Sequence, residues 1–406
     1  MTDEARLARR IEELARIGGS GTSVTRLGLS PEEEGARRLV TSWCERAGGI
    51  ARRDAAGNLY VRFAGDDASA PVLLVGSHVD SVPEGGRFDG ALGVCCAVEA
   101  VVSLVERGAR FARPVELVAW ADEEGARFGI GLFGSAAAFG KLPANAAERR
   151  DKSGTSIADA LRALGQSGDL GAAVRDPKGI RAYLELHIEQ GPRLERAGIP
   201  VGIVSEIVGI YHGRVTVRGR QDHAGATVMG ARKDALVAAS ELVVALERVA
   251  SAVPDAVGTV GEIAVRPGAK NVVPGRCVFS LDIRAPREEG IERVLAGLGS
   301  EIDRIAAARS VEVDIDPLQR VAVTPLDPEI RALLQRATKS VGVDAPLMVS
   351  GAGHDAQNPS LSGVPTGMLF IRSTGGSHTP TELAEVADAA VATRALETAL
   401  AELSRS

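Results

Sequence analysis

Cysteine is scarce in this chain, and the four that occur, Cys44, Cys95, Cys96 and Cys277, have no metal-binding or redox-active spacing. Cys95 and Cys96 fall inside a predicted helix, where they read as small core residues. A basic excess is also missing: 47 Lys and Arg stand against 53 Asp and Glu, a formal net charge of −6. Without a clustered positive surface to neutralise phosphates, a nucleic-acid partner is excluded. No apolar run reaches membrane-spanning length. The opening stretch, MTDEARLARRIEELARI, is amphipathic and mixes acids with bases, without the apolar centre and cleavage site of a secretion signal. Internal repeats and low-complexity segments are absent too. These absences lead us to expect a cytoplasmic protein with reduced thiols and no membrane partner.

What is present describes an ordinary globular chain, 45% apolar and 25% charged, long enough for two or three domains. Its organising stretch is VLLVGSHVDSVPEGGRFDGALGV, Val72 to Val94. The apolar run Val72–Val75 predicts a buried strand that ends by presenting His78 and Asp80. A glycine-rich loop then delivers Asp89 and opens into a helix over Ala91–Glu106. Ligands bind at the carboxyl ends of strands in open α/β sheets, so His78 and Asp80 read as a metal ligand and the carboxylate that orients it. An isolated His-x-Asp is more often a satisfied surface pair. The rest of the chain decides between the two.

The same strand-then-ligand logic repeats. Pro114–Ala121 predicts a buried strand ending in Asp122, Glu123 and Glu124, and Ala182–Gln190 alternates as a strand bearing His187 and Gln190. Near the end, SGAGHDA holds His354 and Asp355, and the strand Pro365–Ile371 runs into a glycine-rich loop with His378. Between His212 and Leu326 the order changes to βαββαβ, with strands at 214–218, 259–265, 277–284 and 311–315 and helices at 231–249 and 290–307. The expected fold class is therefore α/β: a catalytic domain of residues 1–211 and 327–406, with helices on both faces of a mixed sheet, interrupted by an α+β lid or dimerisation domain over 212–326. Of only six histidines, five (His78, His187, His223, His354 and His378) lie in glycine-rich or acidic loops beside strand ends. His78, Asp89, Glu124, His187 and His378 supply about the nitrogen and oxygen ligand set that two borderline divalent ions need.

The ordered strings GSHVDSVPEGGRFDGALGV, ADEEGARF, HIEQGP, DHAGAT, KNVVPG, SGAGHDA and SHTPTE span nearly the whole chain. Together they resemble the ureidohydrolase branch of the M20-type metallohydrolases, which contains the N-carbamoyl-L-amino-acid amidohydrolases, allantoate amidohydrolases and β-ureidopropionases. The resemblance implies cleavage of a ureido C–N bond with two divalent ions, Zn2+ or Mn2+, with Co2+ or Ni2+ as alternatives. It implies that His78 and His187 hold one ion, Glu124 and His378 the other, and Asp89 bridges them. It further implies Asp80 as orienter, Glu123 as general base, Gln190, Asn271 and Arg284 as substrate contacts, and a homodimer in which His223 reaches the partner's site. Two departures stand out: Val228 replaces an expected proline, and the loop from Arg372 to His378 is a residue short.

Other readings stay open on the sequence. Arg284 also fits a surface ion pair, Asn271 a turn before Pro-Gly, and His354 with Asp355 a helix cap. An M20 aminoacylase or dipeptidase would share the two-metal site, and an inactive scaffold would lack a ligand or Glu123, none of which is missing.

Overall fold

Most of the predicted elements form where the hydrophobic pattern places them. The structure, a computed structural model, describes residues 2–405 and leaves Met1 and Ser406 outside the described residues. Strands of three residues or more are β1 (Ile50–Arg53), β2 (Leu59–Phe63), β3 (Val72–His78), β4 (Val115–Trp120), β5 (Ile180–Ile188), β6 (Val201–Ile207), β7 (Gly209–Arg218), β8 (Val257–Thr259), β9 (Ile263–Arg266), β10 (Arg276–Ala285), β11 (Glu312–Val321), β12 (Leu347–Ser350) and β13 (Thr366–Ile371). The long helices are α1 (Glu4–Ala15), α2 (Pro31–Glu45), α3 (Ala91–Glu106), α4 (Ala235–Ser251), α5 (Glu288–Arg309), α6 (Pro328–Ser340) and α7 (Val386–Leu403). None of the helices among the described residues is long and apolar enough to cross a membrane.

The chain divides into two compact units, residues 1–205 with 325–406, and residues 206–324. In the first, a mixed sheet runs β6-β13-β5-β3-β4-β2-β1, with β12 beside β6. Its four central strands, β13, β5, β3 and β4, are mutually parallel, so their carboxyl ends share one edge. Adjacent register puts Phe370 beside His187 and His78 beside Trp120. Parallel strands are covered on both faces. On one face α3, buried nearly all round its circumference, lies among α1, α7, β3 and β5. On the other, Trp120 packs edge-on with Tyr60 and Tyr183 and tilted against Phe139, the last at the end of the short helix Phe133–Ala138.

Several elements depart from expectation for identifiable reasons. β5 does not alternate between core and solvent. Residues Ala182–Ile188 are all buried, because it sits between two parallel strands, and Glu185 is buried with them. The expected strand 259–265 is two strands, β8 and β9, both paired with β10. Helix α4 starts at Ala235 rather than 231, since the Asp234 carboxylate caps it by accepting the N–H groups of Leu236 and Val237. β6 and α6 carried no prediction.

The second unit is a two-layer α+β fold with sheet order β8-β10-β7-β11 and β9 also on β10. Helices α4 and α5 cover one face, burying Val215, Val217, Phe279, Leu281 and Ile283. Alternate residues on the same strands, His212, Arg214, Asp282 and Arg284, form a polar face, as expected for an antiparallel sheet covered on one side. His212, expected just ahead of a strand, lies inside β7 opposite Asp282.

The amino-terminal helix is fastened to α3 chiefly by one buried carboxylate, with an exposed Arg6–Glu106 ion pair beside it. Glu99 is fully buried and accepts from Arg6 Nε at 2.8 Å, Arg10 Nη1 at 2.6 Å, the Ser103 hydroxyl at 2.8 Å and the Asp3 N–H at 2.8 Å. Removing it strands the nearly buried Arg10 guanidinium. Glu99→Ala should therefore cost about 3 kcal/mol, read as a lower urea midpoint, whereas Arg162→Ala, which loses only an exposed ion pair, should shift it little.

Candidate active site

Four strand ends converge on one cluster, buried except at His378. β3 ends at His78, and Asp80 follows, wholly buried. Asp80 Oδ1 lies 3.3 Å from His78 Nδ1 and accepts the Glu123 N–H at 3.1 Å, while Oδ2 accepts the Glu124 N–H at 3.0 Å. One carboxylate thus faces the back of the His78 ring and pins the acidic turn that follows β4. That turn needs the pin because Asp122 takes a left-handed φ of 48° to begin it.

β5 contributes His187, whose Nδ1 is 2.9 Å from the Ile188 carbonyl. A carbonyl only accepts, so Nδ1 carries the hydrogen and the Nε2 lone pair faces the cluster. There His187 Nε2 stands 3.4 Å from His78 Nε2 and 3.1 Å from Asp89 Oδ1. The other oxygen of Asp89, Oδ2, faces a second set: His378 Nε2 at 3.3 Å, the Gln190 amide donating at 2.8 Å, and the Ser377 hydroxyl at 3.0 Å. His378 Nε2 is also 3.3 Å from Glu124 Oε2. Ligand atoms of His78, Asp89 and His187 lie within 4.8 Å of one another, as do those of Asp89, Glu124 and His378. Asp89 belongs to both groups.

The electrostatics of this cluster favour a cation. Burial drives the Glu123 carboxyl well above the usual carboxylate range, with Glu124, Asp355 and Asp80 adding to the rise against His78. Burial, then Asp89, pushes Glu124 up to about 7. The imidazoles respond in kind: burial opposes their protonation, yet Glu123 and Asp80 raise His78, and Asp89 raises His187. Protonating both rings would set two N–H groups nose to nose at 3.4 Å. A divalent cation shared by the two lone pairs removes that clash and neutralises the acids, and Glu124 Oε1 is a buried acceptor with no hydrogen-bond donor. The residues fit a metal ion.

His354 and Asp355 do not cap the helix that follows them; its start has no side-chain cap. The His354 ring packs edge-on to His187 with centroids 4.5 Å apart, and its Nε2 is 2.7 Å from the Ser350 hydroxyl. Burial, then His187, holds His354 well below the ordinary imidazole range, hence neutral. Asp355 accepts from the Ser135 hydroxyl. Behind them, Glu185 accepts the Ser77 hydroxyl at 2.8 Å and the Ala356 N–H at 2.9 Å, tying β3 to the loop that carries His354. Sequence reasoning missed Glu185, although an acid in the middle of a central strand was an available signal.

His223, Asn271 and Arg284 belong to the second unit. There the His223 strand pairs with Val272, and the Asn271 carbonyl accepts the Ala224 N–H at 3.0 Å, so the two loops are clamped side by side. His223 is exposed, and its Nδ1 accepts the N–H groups of Gly225 and Ala226. Arg284 makes two 2.9 Å hydrogen bonds to Asp282, which is also 3.4 Å from His212. Its reading as an ion-pair partner is therefore realised on this sheet.

Nitrogen and oxygen ligands gathered at the carboxyl edge of a parallel sheet, around a buried carboxyl raised by its surroundings, define the class: a metal-dependent α/β hydrolase. The chain belongs to peptidase family M20/M25/M40, whose profile matches residues 74–402. It is 42% identical over 400 residues to an N-carbamoyl-L-amino acid amidohydrolase of Geobacillus stearothermophilus, covering 98% of this chain and 97% of that one. It is 36% identical to a probable allantoate deiminase of Oryza sativa subsp. japonica, covering 92% and 83%. Among solved structures, an amidase of the hydantoinase/carbamoylase family from Burkholderia multivorans superposes with a TM-score of 0.90 at 33% identity, covering 100% of this chain and 98% of that one.

Gly90 sits against the cluster at φ 60°, and a Cβ there would lie 2.3 Å from His78 Nε2. Gly90→Ala should weaken divalent-metal binding about ten- to a hundredfold, measured by equilibrium dialysis. Unchanged binding would mean that the close approach of this backbone does not set the His78 ring.

Proposed function

We propose that this chain is a two-metal amidohydrolase that cleaves the ureido C–N bond of an N-carbamoyl-L-amino acid. With one water consumed, the products are the amino acid, carbon dioxide and ammonia. The observation that carries the reading is Asp89, which turns one oxygen to His187 and the other to His378. The substrate class is supported by the amidohydrolase relative at 42% identity. Allantoate is the second reading, supported by the deiminase relative, and β-ureidopropionate the third.

His78 and His187 would hold one ion, Glu124 and His378 the other, with Asp89 between them. Such ions, Zn2+ or Mn2+ in this reading, supply Lewis acidity that polarises a carbonyl and brings the pKa of water toward neutrality. Glu123 takes the proton of the attacking water and passes it to the leaving nitrogen, a task suited to a carboxyl raised by burial beside Glu124. Asp80 keeps His78 in place and holds the Glu123 backbone. Gln190, already donating to Asp89, borders the substrate position with its carbonyl oxygen uncommitted. Arg284, oriented by Asp282, meets the substrate carboxylate together with Asn271. The unit of residues 206–324 serves as a lid and dimerisation domain, and the protein works in the cytoplasm.

Ammonia release from metal-reconstituted protein tests the substrate. N-carbamoyl-L-amino acids should give the highest kcat/KM against allantoate, N-carbamoyl-β-alanine and N-acetyl amino acids, and a preference for N-acetyl substrates would make the chain an aminoacylase. On the best substrate Glu123→Gln should retain both ions and lose at least about a hundredfold in kcat. Near-normal turnover would place the base elsewhere.

In the same reading His223 acts across a homodimer, reaching the partner's substrate to hold the developing oxyanion. Its support is an exposed ring clamped to the Asn271 loop within the second unit. Co-refolding His223→Ala with Glu123→Gln subunits, each inactive alone, would put both lesions in one site and leave the other whole. Activity should approach half of wild type per mixed dimer, and a dead mixture despite subunit exchange rules out the shared site.

A further inference from the structure

The loop that carries His378 is held to the loop that carries Asp89 by a carboxylate that the chemistry above does not use. Glu382 is 5% exposed. Its Oε1 accepts the backbone N–H of Phe88 at 3.1 Å and of Asp89 at 3.0 Å. The Ser377 hydroxyl lies 3.1 Å from Glu382 Oε2 and 3.0 Å from Asp89 Oδ2, so its single hydrogen serves the two carboxylates in turn. A paired backbone contact between Thr374 and Leu383 closes the loop around this point, with N–H···O distances of 2.8 and 2.9 Å. The fit is close on the other side as well: a Cβ on Gly86 would fall 2.2 Å from Glu382 Oε1.

The two ligand groups that share Asp89 differ in support. His78 and His187 lie within β3 and β5 and are buried. His378 stands on a loop, with a half-exposed side chain and a left-handed φ of 57°, after Gly375 and Gly376 at φ 76° and 88°. Among the described residues, only Glu382 grips both the peptide of Asp89 and the residue preceding His378. We propose that Glu382 is a positioning residue for the ion held by Glu124 and His378, keeping Asp89 Oδ2 and His378 Nε2 facing one another so that this second site is preformed. This rests on the two-ion reading.

Loss of Glu382 should then act unevenly. With both N–H groups freed, the Asp89 peptide and the Ser377–His378 segment move apart, while Asp89 Oδ1 keeps its two strand-borne partners. A simple structural staple would weaken the whole protein without choosing between ions. Glutamine keeps an oxygen to accept both N–H groups and presents an amide that the Ser377 oxygen can accept, so the conservative variant should rescue.

The test is calorimetric titration of metal-free, full-length protein with Zn2+ alone, alongside thermal melting of the apoprotein. Wild type should take up two ions. Glu382→Ala should bind the first within about threefold of wild type and the second about ten- to a hundredfold more weakly, while Glu382→Gln stays within about threefold for both. If Glu382→Ala fails to fold, Ser377→Ala should show the same asymmetry in smaller measure. Wild-type affinity for both ions in Glu382→Ala overturns the proposal, as does an equal loss at both sites accompanied by a lower apoprotein Tm. Symmetric behaviour of Ser377→Ala when Glu382→Ala does not fold also overturns it. Uptake of fewer than two ions by the unmutated chain overturns the two-ion reading itself, and is recognised because it needs no substitution.

Discussion

Shut off from water, the Asp80 carboxylate has to find partners within the protein, and those it finds come from two neighbouring strands. One is the His78 ring at the end of β3; the others are the N–H groups of Glu123 and Glu124 just past β4. A buried acid without such partners costs several kcal/mol, so the distance between the two strand ends is set by what Asp80 requires. The parallel pairing of β3 with β4 brings the ends to the same edge, and Asp80 then locks them. His78, Glu123 and Glu124 are consequently presented by backbone that cannot drift independently.

Around that lock the protein accumulates charge of one sign. Asp80, Asp89, Glu123 and Asp355 are all buried, with Glu124 close to buried. The response of the carboxyls differs with their contacts. Burial opposes ionisation of Asp89, but the imidazoles of His187 and His378 against its two oxygens outweigh it and hold the carboxyl well below the usual range, whereas Glu123 and Glu124 are raised by burial that their neighbours do not offset. Carboxyls a few ångströms apart are thus driven in opposite directions by burial and the nearest charges alone. Stability is spent here for chemistry, and the apolar helix α3 together with the covering helices α1 and α7 offsets it.

The second unit obeys a simpler rule. Its antiparallel sheet buries one face under α4 and α5 and leaves the other polar, and on that face Asp282 organises His212 and Arg284 by hydrogen bonds. The two parallel hydrogen bonds from Asp282 hold the Arg284 guanidinium in one orientation.

Strands β3, β4 and β13, helix α3 and the histidines and acids that gather beyond their ends were legible in the sequence, because a run of apolar residues followed by a histidine or an acid and glycines is a local pattern. His78, Asp89, Glu124, His187 and His378 could be named from it. Other features left no local mark. The burial of both faces of β5 depends on parallel neighbours far away in the chain, so its sequence read as an alternating strand. His354 looked like a cap beside its own helix, and only packing against His187 from a different strand reveals its place. Glu185 and Glu382 are ordinary acids until tertiary structure brings them Ser77, Ala356, Phe88 and Asp89. By itself, then, the sequence determined which side chains have the chemistry to meet a cation or exchange a proton, since that chemistry resides in single side chains. Which oxygen of Asp89 faces which imidazole, and what holds it there, was decided only by the tertiary structure, because hydrogen-bond partners hundreds of residues apart meet nowhere else.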